Sequence, residues 1–142
     1  MFRLLILLAL CVACGKTPSI KTTATANKTV SLAGIGSLSS KLEIRQSGDT
    51  AIAVAWFTWS GLESVTITST VTLYRFDTNK LAQLQTTESS FDLEPSASKS
   101  LSTDTTAETR RRCAAITVTI AGFNANGDEK TNSANAQVCE KG

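Results

Sequence analysis

Histidine is absent from this 142-residue chain, and its absence bears first on catalysis. Histidine is the usual general base near neutral pH, the commonest metal ligand and a member of most nucleophilic triads. Neither paired carboxylates nor a nucleophile elbow can be picked out in its place. Cys113 and Cys139 lack a CxxC pattern and make a poor zinc pair. The sequence therefore predicts no enzyme activity, no metal and no cofactor.

Excess charge of one sign is also missing, since 14 basic and 12 acidic residues give a net charge of +2. This balance supplies no bulk attraction to nucleic acid, and no nucleic-acid partner is expected. The dense charge run is Arg110-Arg111-Arg112. It is a candidate binding patch for an acidic partner or for lipid headgroups. A solvated loop end before a strand is the simpler interpretation, and both stay open.

No apolar run is long enough to span a bilayer as a helix, which takes roughly 20 residues. The run from Leu4 to Ala13 has about half that length and follows the basic residue Arg3. A short apolar core after a basic residue is typical of a secretory signal peptide rather than of a permanent membrane anchor.

The residues before Cys14 resemble the lipobox of bacterial lipoproteins. Val12 and Ala13 are small, and Gly15 follows the cysteine; Cys11 stands where leucine is usual. The resemblance implies that residues 1–13 are removed and that Cys14 carries a diacylglycerol and a further acyl chain. Each buried CH₂ contributes about 0.8 kcal/mol, so several chains anchor firmly. We expect a cell-envelope location, in the outer membrane if the source is Gram-negative, although a plain secretory signal cut after Ala13 is the alternative.

Residues 14–40 are predicted to form the lipidated cysteine and a flexible tether, and residues 41–142 the folded domain. The segment after Cys14 is rich in Thr, Ser, Ala, Lys and Gly, and it includes Pro18. Such a composition buries too little apolar surface to offset the entropy of ordering. The alternative is an edge strand built on the apolar residues Val30, Leu32, Ile35 and Leu38.

From Leu42 onward the apolar residues mostly alternate with polar ones, which indicates strands. Ile52, Val54 and Trp56 form one such set, and we place Trp56 in the core. Leu81–Gln85 and Ser90–Leu93 are shorter candidates, whereas 96–112 is polar and loop-like. About seven short strands with turns between them predict an all-β fold, a seven-stranded antiparallel β-sandwich.

The order of these features resembles a fibronectin type III domain, within the immunoglobulin-like group. Ile52–Trp56 is similar to that family's second strand, Phe91–Pro95 to its fifth strand with Leu-x-Pro, and Ile116–Gly127 to its sixth with an Asn-x-x-Gly turn. The resemblance covers about Leu42 to Cys139. It departs where the family has a tyrosine after Leu-x-Pro, because the polar stretch 96–112 stands there. The resemblance implies a binding or spacing module.

Two cysteines remain once Cys11 is removed with the signal and Cys14 takes lipid. Cys113 and Cys139 have their midpoint at Asn126, in the middle of the turn predicted between the last two strands. They therefore face each other across an antiparallel hairpin, and alternation puts both on its polar face. We predict a Cys113–Cys139 disulfide. Because it restricts the unfolded chain, such a bond should stabilise the fold by on the order of 3 kcal/mol.

Aromatic residues are scarce, at 6% of the chain. Alternation places the side chain of Trp59 on the side of the strand opposite to Trp56, and Trp59 is close to Gly61 in the sequence. Trp59 is therefore the candidate for an exposed side chain that anchors a partner or stacks on a sugar. The function expected is a membrane-anchored envelope lipoprotein whose domain binds an envelope or extracellular protein or serves as a structural interaction module. The alternative is a carbohydrate-binding or enzyme-inhibiting surface module.

Overall fold

The structure is a computed structural model that describes residues 19–141, and β-strands make up its regular elements. The predicted signal peptide, residues 1–13, and the predicted lipidation site, Cys14, lie outside the described residues. Within those described, no helix is long and apolar enough to cross a membrane. The all-β prediction is confirmed for residues 19–141, whose strands number nine rather than seven: β1 (Lys21–Leu32), β2 (Gly36–Ser47), β3 (Thr50–Gly61), β4 (Val65–Asp77), β5 (Lys80–Leu93), β6 (Ser98–Ser102), β7 (Thr106–Ala107), β8 (Arg112–Phe123) and β9 (Glu129–Cys139).

The strands form two antiparallel sheets in a sandwich-like arrangement. The first sheet has the order β1-β2-β3-β6, with β7 also paired to β3, and the second has the order β5-β4-β8-β9. Their apolar faces meet in one core, as expected for sheets with one face to solvent. Fully buried members of this core from the two sheets include Leu38, Leu42, Ile44, Phe57, Ile67, Leu73, Ile116 and Ile120.

The first strand corrects the prediction of a flexible tether reaching to residue 40. Lys21–Leu32 pairs with β2 along its length, so the edge-strand alternative is the right one. Val30 and Leu32 point into the core and are buried. A polar segment can order here because its backbone groups are paired with β2 and its few apolar residues fill the sheet edge. The folded domain therefore begins at Lys21 and not at residue 41.

The central strand β3 buries the face opposite to the one predicted. Phe57, Trp59 and three alanines point into the core, whereas Trp56 lies half-buried on the outer face. The reason is the register with β2, which sets Ala55 beside Leu42 and Ala53 beside Ile44. Small side chains opposite large ones fill the interior without voids. Placing Trp56 in the core was wrong.

Two further segments, 96–112 and 81–93, differ from the prediction: the first forms strands where a loop was expected, and the second forms one strand where two were expected. Ser98–Ser102 and Thr106–Ala107 pair with β3 inside the segment 96–112. Between them Thr103 is buried, and its hydroxyl accepts a hydrogen bond of 3.0 Å from the backbone nitrogen of Ala53. The two short candidates in 81–93 belong to one strand, β5. Pairing with a neighbouring strand orders these edges, and a few apolar residues such as Phe91, Leu93 and Leu101 pack against the core.

The antiparallel topology gives the domain two distinct ends. At the entry end lie the start of β1, the start of β8, the end of β9, and the turns β2–β3 and β4–β5. At the distal end lie the β1–β2 and β8–β9 turns and the β3–β4 connection. Candidate functional residues gather at both ends.

Candidate functional sites at the two ends of the domain

Trp59 is a core residue and not the exposed anchor that was predicted. Its side chain is 0% exposed, and its indole Nε1 donates a 2.7 Å hydrogen bond to the carbonyl oxygen of Glu63. The ring packs over Gly36 and Gly61, where an added Cβ would lie within 3 Å of ring atoms. The indole thus fills the core at the distal end of the domain, and it is not accessible for stacking on a sugar.

Arg112, predicted as part of an exposed basic patch, is also buried. Its Nε and Nη2 atoms each donate a 2.9 Å hydrogen bond to one carboxylate oxygen of Glu140, and its Nη1 donates to the carbonyl oxygen of Glu108. The backbone nitrogen of Arg112 also donates to Glu140. A bidentate pair of this kind is a strong charge-assisted contact. Arg112 therefore joins β8 to the end of β9 and offers no free charge.

Two opposing effects determine the pKa of Glu140. Burial favours the neutral acid, but hydrogen bonds from Arg112 and Thr23 outweigh that effect and hold the pKa below its ordinary value. The carboxylate of Glu140 therefore stays charged at neutral pH.

Arg110 and Arg111 remain exposed, as the patch prediction requires. The Arg111 guanidinium lies over the Phe76 ring, 5.0 Å from its centroid, and its Nε donates a 2.6 Å hydrogen bond to the backbone oxygen of Glu140. Arg110 approaches Asp77 at 3.9 Å, a loose surface pair of little energetic weight. Two of the three predicted arginines thus present charge to solvent, one of them held in a fixed orientation.

These arginines line an open cleft of about 660 Å³ at the entry end. Lys21 and Lys141, which were not predicted, join them there. The cleft is therefore lined by five basic side chains and the single acid Glu140, which is already paired with Arg112. Sequence reasoning missed the lysines because they approach the arginines only when β1 and β9 close the sheet edges.

The predicted disulfide is present between Cys113 and Cys139. The two residues lie directly opposite in the β8–β9 register, with their Cα atoms 4.0 Å apart. Cys113 is fully buried, although a solvent-facing polar face was expected, because Tyr74 of β4 lies beside it as well. The bond sits one residue pair from Arg112 and Glu140, so a covalent and an ionic contact secure the same hairpin end.

On the outer face, Glu43 is the centre of a second charged cluster. The carboxylate accepts hydrogen bonds from Arg45 and Thr22, each at 3.1 Å, and pairs with Lys41 at 2.9 Å. Burial favours its neutral form, but these contacts together lower its pKa below the ordinary value. Arg45 also covers the Trp56 ring at 4.6 Å from the centroid. The cluster is satisfied internally and covers the half-buried tryptophan.

Two of the exposed large apolar side chains lie at the distal end, whereas Ile20 and Phe76 are exposed at the entry end. Leu62 is 93% exposed and Phe123 is 61% exposed. With Ile35 and Ala125 they line a cleft of about 120 Å³. We call these four residues the distal apolar patch. Neither Leu62 nor Phe123 was selected from the sequence, because the only signal is an apolar residue next to a predicted turn.

Hydrogen bonds to the Asn124 side chain close the turn beside Phe123. The Asn124 side-chain oxygen accepts hydrogen bonds of 2.9 Å from the backbone nitrogens of Asn126 and Asp128. Gly127 has a φ of +81°, a conformation that glycine adopts without strain. The hairpin turn predicted here is confirmed, and it holds Phe123 in a defined position.

Comparison with known proteins identifies no relative: no protein-family model and no curated protein sequence matches the chain. Between residues 19 and 141, no three side chains suited to a metal ion come together. The function must therefore be inferred from the geometry of the two ends.

Proposed function

We propose that this chain is the precursor of a lipid-anchored envelope protein whose β domain is a protein-binding module. The anchor rests on the lipobox resemblance at Cys14. The Cys113–Cys139 bond supports a location outside the cytoplasm, because disulfides persist in oxidising compartments. In a Gram-negative source, the outer membrane is the proposed site.

The domain is proposed to be fibronectin type III-like, with additional edge strands. Two antiparallel sheets with β3 and β8 at central positions are compatible with the segments matched to that family's second and sixth strands. One part of the match does not carry over. Phe91–Leu93 ends the edge strand β5, and it is β6 that pairs with β3. The likeness therefore lies in the central strands and not in every edge.

The observation that carries the binding function is the distal apolar patch. Solvent exposure of Leu62 and Phe123 side by side is unfavourable in isolation, and adjoining exposed apolar residues mark protein interfaces. Burial of each in an interface would contribute roughly 1.5–3 kcal/mol. The patch lies at the end opposite to the start of β1, so an anchor preceding β1 would leave it facing away from the membrane.

Protein binding is favoured over the carbohydrate-binding alternative. Sugar stacking relied on an exposed Trp59, and this ring is buried. Trp56 is half-buried and covered by Arg45. An enzyme-inhibiting role would be one form of protein binding at the same patch.

A photo-crosslinking experiment in cells of the source tests this function. A photoreactive amino acid is placed at Leu62 or Phe123, and at the exposed residue Thr117 on the outer face of β8 as a matched control. We expect both patch positions to capture the same protein and Thr117 to capture none. The Leu62 crosslink should be lost when Phe123→Ser is added. Identical products from Thr117, or none from either patch position in exported protein, would refute the proposal.

A further inference from the structure

The basic cleft at the entry end is a charged surface that the protein-binding function leaves unused. Of its five basic residues, only Arg112 is neutralised within the lining, by Glu140. Lys21, Arg110, Arg111 and Lys141 leave a surplus of positive charge. Two acids lie beside it. Asp77 is 3.9 Å from Arg110, and Glu108 is 3.9 Å from Arg75 and accepts a 3.0 Å hydrogen bond from the backbone nitrogen of Arg110, so they offset only part of this charge.

The position of the cleft limits what can occupy it. Lys21 is both part of the cleft and the first residue of β1. Only seven peptide steps separate it from Cys14, and a fully extended chain of that length reaches about 25 Å at most. If Cys14 is lipidated, the cleft is therefore held close to the membrane surface.

The chemistry of the cleft suits a phosphate. Guanidinium groups bind phosphate oxygens through paired N–H donors. Arg111 is already oriented by the Phe76 ring and by its Nε bond to Glu140. Within the described residues, Nε is the Arg111 donor that forms a hydrogen bond, so its two terminal nitrogens remain available to a ligand. Anionic lipid headgroups are the phosphates that a membrane presents within this reach.

We propose that the entry-end cleft binds the phosphate headgroups of anionic lipids in the membrane that holds the anchor. This inference rests on the proposed lipid anchor. Headgroup binding holds the domain upright and turns the distal apolar patch outward. The effect depends on salt, because charges at a surface are screened over about 8 Å at physiological ionic strength.

The test uses the mature lipidated protein in nanodiscs of phosphatidylcholine, with or without phosphatidylglycerol. A gadolinium-chelating headgroup broadens NMR signals of amides that contact the bilayer. We expect broadening at Lys21, Arg111 and Lys141, and not at Leu62 or Phe123. It should require phosphatidylglycerol and disappear in 0.5 M salt, where the screening length shrinks to about 4 Å.

A charge-matched pair of variants separates the cleft from net charge. The test variant is Lys21→Gln/Arg110→Gln/Lys141→Gln, and the control is Lys28→Gln/Lys99→Gln/Lys130→Gln, which removes three exposed charges away from the cleft. Each basic residue near an anionic surface is worth about fivefold in the bound-to-free ratio. The test variant should lower that ratio about a hundredfold, while the control keeps most of the broadening.

Each other outcome contradicts a defined part of the argument. Equal broadening in neutral nanodiscs, or full retention in the test variant, overturns headgroup binding. Shifts of the same amides by inorganic phosphate without bilayer contact overturn a lipid as the source of the phosphate. Purified mature protein without lipid on Cys14 overturns the anchor and this inference together, whereas lipidated protein without headgroup contact overturns this inference alone.

Discussion

Arg112 and Glu140 form a buried ion pair that removes one positive charge from the neighbouring basic cleft. Both lie at the entry end, between the disulfide and the cleft, and both carry almost no solvent exposure. Ions removed from water are tolerated only when each finds a partner of opposite charge and good geometry. Here the carboxylate accepts three hydrogen bonds from Arg112.

Removing one partner should therefore cost far more than removing an exposed neighbour. Arg112→Met leaves Glu140 buried and unpaired, and we expect the free energy of unfolding to fall by about 3–5 kcal/mol. Arg110→Met, the control, removes a charge from the exposed cleft and should change it by less than about 0.5 kcal/mol. Urea unfolding followed by tryptophan fluorescence measures both. Similar losses in the two variants would show that the pair is not the source of the stability.

The lowered pKa values of Glu43 and Glu140 predict loss of stability in acid. A carboxyl whose pKa is lower in the folded than in the unfolded state stabilises the fold above the unfolded pKa, and this contribution is lost as the pH falls through the folded pKa. The melting temperature should stay level near neutrality and fall below about pH 4.5, the ordinary value for both groups.

Glu43→Gln should weaken this acid dependence, because the amide does not titrate. Glu88→Gln, on an exposed edge position of β5, should leave the dependence as in the unaltered protein. Calorimetric melting between pH 3 and 7 measures it. If the melting temperature of Glu43→Gln falls with decreasing pH as steeply as that of the unaltered protein and of Glu88→Gln, the role assigned to the Glu43 carboxylate is wrong.

The two tryptophans mark the limit of inference from residue patterns. Alternation correctly predicted that Trp56 and Trp59 face opposite sides of β3. It could not say which side is the core, because both faces of the strand are apolar. Which face of β3 turns inward depends on the buried residues Leu38, Leu42 and Ile44 of β2. Leu42 and Ile44 are bulky, and the small alanines of β3 lie opposite them. That register exists only after the sheet forms.

At the scale of elements, the β8–β9 hairpin was the most predictable part of the fold. A turn with Asn124 and Gly127, together with alternation on both sides, determines the register and therefore the pairing of Cys113 with Cys139. The same midpoint also pairs position 112 with position 140, so the buried ion pair was accessible to the same reasoning. Strands β1, β6 and β7 were not, because their polar sequences are ordered by the strands beside them.

Loss of the disulfide should lower stability without changing the hairpin register. The bond closes a loop with a sequence separation of 26, and chain entropy assigns such a loop on the order of 3 kcal/mol. Cys113→Ala/Cys139→Ala should lower the melting temperature, with the far-ultraviolet circular dichroism spectrum retained. Reduction of the unaltered protein should give a similar shift. An unchanged melting temperature, or two free thiols in freshly exported protein, would contradict the contribution assigned to the bond.

In the part of the molecule that the structure describes, the basic cleft lies at the entry end, beside the exposed Ile20 and Phe76, and the distal apolar patch lies at the other end. An anchored domain would use this arrangement directly, since one end meets headgroups and the other meets a partner. None of this polarity is visible in the net charge of +2, because the lysines and arginines at the entry end come from β1, β8 and the residues flanking β8 and β9. The orientation depends on where the anchor is attached.

Anchoring at Cys14 predicts a specific pattern of lipid labelling in cells that express the chain. A palmitate analogue should label the unaltered protein and Cys11→Ser, because Cys11 is removed with the signal. Cys14→Ser should lose the label and leave the membrane fraction, since the lipid chains supply the firm attachment and headgroup contacts alone are weak and salt-dependent. Labelling of Cys14→Ser but not of Cys11→Ser would move the cleavage site before Cys11. That result would lengthen the chain between anchor and β1 by three residues, to a maximum reach of about 35 Å, and would let the basic cleft lie farther from the bilayer.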